Sequence, residues 1–152
     1  MNQMTIKDAL QIAIDAEIKA YNLYIDTREK ITNAGTKAML KELADMELGH
    51  RRLLENIVKK EQYTKLGENV PKESRGIADF LVAAELQQNA TPQDAIIFAM
   101  KEEEKAFNFY DDMRNQFAGT ELEKVFNKLA SEELGHKRRL EAEYEAHIMW
   151  EN

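Results

Sequence analysis

Apolar residues recur along this chain at three- and four-residue steps, and the pattern is helical almost throughout. From Thr5, the positions Ala9, Ile12, Ala13, Ala16, Ala20, Leu23 and Tyr24 follow that period and predict a helix running to about Ile31. Thr5 and Asp8 make a capping-box pattern at its start, with aspartate in place of glutamate. The polar stretch Thr32-Asn33-Ala34-Gly35 reads as a tight turn. A second helix carries Met39, Leu40, Leu43, Leu54, Ile57 and Val58. Residues 62–75, with Gly67, Pro71 and the nearby Gly76, read as a loop, and Ile77–Gln87 as a short connecting helix. Thr91-Pro92-Gln93-Asp94 opens a third long helix, Thr91 as cap and Pro92 at the first helical position. Ala118-Gly119-Thr120 breaks it, and a fourth helix runs from about Glu121 to near the C-terminus. Two helical hairpins joined by a long link predict an all-α, four-helix bundle.

The hairpins are copies of each other. A shift of 86 residues lays Thr5–Tyr24 on Thr91–Tyr110 with nine identities, at Thr5, Asp8, Ala9, Ala13, Glu17, Lys19, Ala20, Asn22 and Tyr24. The same shift lays Lys41–Glu55 on Asn127–Glu141, again with nine, at Leu43, Ala44, Glu47, Leu48, Gly49, His50, Arg52, Leu54 and Glu55. Gly35 and Gly119, in the two breaks, differ by 84 and do not keep the register. The chain reads as an internal duplication in one domain spanning 1–152, with halves at about 5–60 and 91–146 and a crossover at about 61–90.

Composition narrows the function. At 152 residues, 43% hydrophobic and 32% charged, the chain suits one soluble helical domain. A net charge of −7 argues against nucleic acid as a partner. No apolar run reaches the length of about 18 residues that a membrane span needs, and no secretory leader is visible in MNQMTIKDAL. With no cysteine there is neither disulfide nor thiolate chemistry, and a cytoplasmic setting is expected.

Each half carries a glutamate in its first helix (Glu17, Glu103) and a Glu-x-x-His in its second (Glu47 with His50, Glu133 with His136). Residues i and i+3 project from one helix face, about 300° apart around the axis. In an antiparallel hairpin, residues equidistant from the turn lie level. The midpoint of 17 and 47 is 32, and that of 103 and 133 is 118, both at or beside the predicted turns. The two halves together therefore bring four carboxylates and two imidazoles to one height in the core. Uncompensated, most of four buried carboxylates would have to protonate, whereas two divalent cations offset them charge for charge. Oxygen and imidazole donors without sulfur suit iron or manganese, and zinc also binds such sites.

A lone Glu-x-x-His on a charged helix is ordinarily a solvated pair; two in register, each with a level glutamate, are not. Glu103 is selected by the repeat over its neighbours Glu102 and Glu104. Tyr24 and Tyr110, seven residues beyond Glu17 and Glu103, serve core packing, a hydrogen bond to a ligand carboxylate, or both. Tyr21 and Phe107 read as core, Met46 and Met100 as packing residues, and His147 as a frayed-end histidine, while Trp150 covers the bundle or a partner chain. The tetrapeptide ELGH places Gly49 and Gly135 in helix interiors, about 200° from the glutamate face by helical spacing. Close approach of a neighbouring helix or chain is the expected reason for them.

The paired motifs, with the glutamates in "DAEIKAYNLY" and "EEEKAFNFY", resemble the ferritin-like superfamily, and within it the rubrerythrins that lack a rubredoxin domain. The resemblance covers about Thr5 to Tyr144. It implies an up-down-down-up bundle with a long crossover and a carboxylate-bridged centre of two iron ions. Glu17 and Glu103 would be its terminal ligands, Glu47 and Glu133 its bridges, and His50 and His136 its nitrogen ligands. It further implies reduction of hydrogen peroxide, or of dioxygen. Rubrerythrins typically carry another glutamate three residues after the third-helix ligand, which exchanges with a histidine; here that position is Ala106, implying a more symmetric site. Without cysteine for a rubredoxin iron site, electrons would come from an external donor protein such as a rubredoxin. The alternative is an iron- or metal-binding protein with little turnover or weak ferroxidase activity. A homodimer is the expected assembly, with the hairpins paired within one chain or swapped between two.

Overall fold

A computed structural model describes residues 5–59 and 91–151, with side chains through Ala146. The expected loop at 62–75, the connecting helix at 77–87, and the side chains of His147 and Trp150 lie outside the described residues. Four helices fill the described part: α1 (Ile6–Glu29), α2 (Ala34–Lys59), α3 (Pro92–Gln116) and α4 (Glu121–Glu151). Among the described residues, no helix is long and apolar enough to cross a membrane.

The two repeat halves start their first helices identically. Thr5 accepts from the Asp8 backbone N–H while Asp8 accepts from the Thr5 N–H, and Thr91 and Asp94 do the same. Each box satisfies two of the donors that a helix start leaves open. At the other end of α1 the helix closes at Glu29 rather than Ile31, because the Lys30 and Ile31 N–H groups turn back onto the carbonyls of Thr27 and Arg28. The following turn is shorter than the sequence suggests. Asn33 caps α2 by accepting from the Thr36 N–H at 2.9 Å, so Ala34 and Gly35 are already helical. Gly119, by contrast, sits at φ 87° in the α3–α4 turn, a conformation that favours glycine. Gly35 and Gly119 therefore have different structural roles, which explains why they do not share the repeat register.

Cross-bundle contacts define the direction of every helix. Tyr24 reaches Glu103 and Tyr110 reaches Glu17, so α1 and α3 run antiparallel. Arg139 grips Glu42 through two hydrogen bonds of 2.7 Å while Glu132 meets His50, so α2 and α4 are antiparallel too. With each hairpin antiparallel by its short turn, the order is up-down-down-up. The apolar core divides into two clusters. One gathers Ala9, Leu10, Ala13, Leu54, Phe109, Met113 and Phe126; the other gathers Leu40, Leu43, Ala44, Ala95, Ile96, Ala99 and Leu140. The repeat carries Ala9, Ala13 and Leu54 of the first onto Ala95, Ala99 and Leu140 of the second. The polar layer formed by Glu17, Glu47, Glu103 and Glu133 lies between the stretches that build the two clusters.

Candidate metal centre

The structure brings all six sequence-selected Glu and His residues together. They form two overlapping groups, Glu17, Glu47, His50 and Glu133 in one, and Glu47, Glu103, Glu133 and His136 in the other. Within each group, one ligand atom per residue lies within 4.8 Å of all the others. Glu47 and Glu133, one from each Glu-x-x-His, belong to both. The two imidazole rings face each other nearly parallel, 5° apart in plane and 6.2 Å between centroids.

His50 points Nδ1 inward, 3.0 Å from Glu133, 3.4 Å from Glu17 and 3.5 Å from Glu47. His136 does likewise, its Nδ1 3.4 Å from Glu103 and 3.9 Å from Glu133. The four carboxylates are at most 2% exposed. Among the described residues, the buried polar and charged set holds no lysine or arginine. Burial first, then the neighbouring carboxylates, push Glu47 and Glu133 well above the usual carboxylate range. For His50, burial is the largest influence and opposes the charged form, but Glu17 and Glu132 together outweigh it and raise the imidazole.

Buried atoms of this layer are left without hydrogen bonds: an oxygen each of Glu17, Glu47 and Glu103, both oxygens of Glu133, and Nδ1 of both histidines. Such orphaned groups are rare in folded proteins because each forfeits its hydration without return. All of them are electron-pair donors converging on the same space, so what they lack is a cation. Hard carboxylate oxygen with imidazole and no sulfur fits iron, manganese or zinc.

Two tyrosines complete the layer. Tyr24 donates from its hydroxyl to Glu103 at 2.9 Å, and Tyr110 donates to Glu17. Each is 1% exposed and packs in the apolar core as well as donating to its glutamate. The pairing is crossed: each tyrosine serves the glutamate of the other half, as the antiparallel α1–α3 arrangement requires. Burial, then the carboxylate field, hold both phenols well above their ordinary range, so they remain donors.

Glu102 and Glu104 do not join the site. Glu102 pairs with Lys105 at 3.1 Å and Glu104 with Lys137 at 3.0 Å. Gly49 and Gly135 are exposed, and a Cβ built on either would meet nothing within 4 Å. The expected close approach of a neighbouring helix is therefore absent among the described residues. One contact was not anticipated from the sequence: Glu132 of α4 lies 3.1 Å from the outer nitrogen, Nε2, of His50. Its signal was the doublet in "SEELGH", which breaks the repeat against "DMELGH".

Comparison with solved structures gives the same architecture. A hypothetical protein from Pyrococcus furiosus is 31% identical, with a TM-score of 0.63 over 93% of this chain and 89% of that one. A protein from Thermotoga maritima described as ferritin-like and diiron-carboxylate is 19% identical, with a TM-score of 0.70 over 95% and 97% of the two chains. No curated protein sequence matches significantly. The model of the rubrerythrin family matches residues 8–144, nearly the whole chain, and this protein belongs to that family.

Proposed function

We propose that the chain binds two iron ions and reduces hydrogen peroxide, or dioxygen, with electrons from a separate donor protein. The observation that carries this reading is the pair of overlapping ligand groups that share Glu47 and Glu133. One imidazole and one unshared glutamate belong to each position, His50 with Glu17 and His136 with Glu103, so each would hold one ion and the shared carboxylates would bridge. A pair of ferrous ions supplies two electrons, which match the reduction of one hydrogen peroxide and two protons to two waters.

The chain's own residues contribute positioning and enclosure. Tyr110 and Tyr24 tie down Glu17 and Glu103, keeping the unshared carboxylates aimed at the centre. Apolar clusters on either side of the layer limit water, which strengthens every charge interaction inside. The lack of cysteine means that this chain has no thiolate electron-entry site of its own, so the donor is a protein such as a rubredoxin. With Ala106 where rubrerythrins typically carry an exchanging glutamate, both histidines would serve as nitrogen ligands, and the six ligands would match between the halves.

Metal analysis followed by anaerobic peroxide titration of the ferrous protein tests this. The expected result is two irons per chain, oxidation of both by one peroxide, and turnover once reduced rubredoxin is supplied. Oxidation by dioxygen alone, with ferric iron retained and no turnover, would instead establish an iron-handling protein. If Glu47→Ala combined with Glu133→Ala left the bound metal unchanged, the ligand assignment would fail.

A further inference from the structure

The two halves of the centre match residue for residue in their ligands and tyrosines, but not behind their imidazoles. His50 presents Nε2 to the carboxylate of Glu132 at 3.1 Å. A carboxylate accepts, so the hydrogen of a neutral His50 ring sits on Nε2, and the lone pair of Nδ1 faces Glu17, Glu47 and Glu133. The contact thus selects the tautomer and the ring orientation that a cation needs. The repeat assigns the corresponding place behind His136 to residue 132 − 86 = 46, which is Met46. A thioether accepts only weakly and carries no charge. Among the described residues, no carboxylate reaches the outer nitrogen of His136. The two rings also differ in shielding, His50 being 6% exposed and His136 14%.

We infer that Glu132 is a positioning residue that makes the two cation positions unequal: the one lined by Glu17, Glu47, His50 and Glu133 binds more tightly and fills first. The inference rests on the two-metal reading of the site and adds an order of loading to it. A histidine held by a carboxylate on its far nitrogen is preorganised and more basic towards the metal, and losing such a partner typically costs about 10–100-fold in metal affinity. Glu132 is 41% exposed, so solvent screening puts its effect near the lower end, about tenfold. The loading order has a chemical consequence. With one ion present, the centre can deliver one electron at most, so an ordered, unequal pair passes through a singly loaded form that cannot complete a two-electron reduction.

Cobalt(II) alone, titrated into chelator-stripped protein and followed by calorimetry and visible absorption, tests the inference. Two equal positions that share bridging ligands also fill in two steps, so variants decide the question rather than the separation itself. Glu132→Ala is expected to weaken the first step about tenfold and leave the second unchanged, and Glu132→Gln, which keeps an acceptor, to recover part of the loss. Met46→Glu is expected to strengthen the second step. Melting curves of the metal-free variants at the titration pH separate an affinity effect from a folding effect, because a loss of folding would weaken both steps alike. An unchanged first step in Glu132→Ala, or a loss confined to the second, overturns the inequality while leaving the metal centre standing. If the parent protein binds no cobalt, the metal reading itself fails.

Discussion

Replacing Gly49 and Gly135 by alanine should stabilise this protein, and the amount follows from the structure. Both glycines lie in the middle of long helices, α2 and α4, where glycine is about 0.8–1.0 kcal/mol worse than alanine because its unfolded chain has more freedom to lose. An added methyl group could alter that value by packing or by clashing. Here it does neither, since a Cβ at either position meets nothing within 4 Å among the described residues and both glycines are exposed. The substitutions fall on different helices and should add, giving about 2 kcal/mol for the pair. For a chain of this size, 1 kcal/mol moves the melting temperature by about 2–4 °C, so the double variant should melt about 4–8 °C higher. Thermal denaturation followed by circular dichroism, with a chelator present to remove any metal contribution, reads the shift. Gly119→Ala serves as the opposite control: at φ 87° the alanine is strained, and stability should fall by about 1 kcal/mol. A loss of stability in Gly49→Ala or Gly135→Ala, above all one that varies with protein concentration, would refute the reasoning. A loss that varies with protein concentration would mean that a second chain packs against these glycines.

The metal-free protein should lose stability as pH rises. Glu47 and Glu133 are raised above their ordinary 4.5 in the folded state, and His50 above 6.5. Their stabilising effect is therefore complete below the unfolded values and lost as pH climbs through the raised ones. Melting temperatures at about pH 5.5 and about pH 8 should fall in that order with chelator present, and the slope should flatten or reverse with metal, whose binding competes with protons. Metal at 100 times its dissociation constant should add about 2.7 kcal/mol, and equal melting temperatures with and without chelator would count against a buried site. Tyr24→Phe and Tyr110→Phe each remove a buried hydrogen bond to a glutamate of the candidate centre and should cost about 1–3 kcal/mol, by similar amounts because the repeat makes them counterparts. If either variant melts like the parent, its phenol does not steady the carboxylate.

The sequence alone carried the four described helices, the duplication and the six Glu and His side chains that gather in the core. Those features are local or periodic: caps are read from Thr5-x-x-Asp8, faces from three- and four-residue spacing, and level partners from equal distances to a turn. The 86-residue repeat multiplied the signal, turning an unremarkable Glu-x-x-His into half of a symmetric set. What the sequence could not carry was which residues meet across the bundle. The crossed tyrosines depend on α1 and α3 running antiparallel, and nothing within either helix encodes its direction relative to the other. Glu132 behind His50 depends on how α4 packs against α2, a contact between residues 82 positions apart. Gly35 passed for a turn residue because glycine fits both a turn and a helical first turn, and only the Asn33 cap decides between them. The same physical reason underlies each case. Spacing along one helix determines which face a side chain occupies, but its partner is chosen by the direction and rotation of a neighbouring helix, and packing of the whole core sets those.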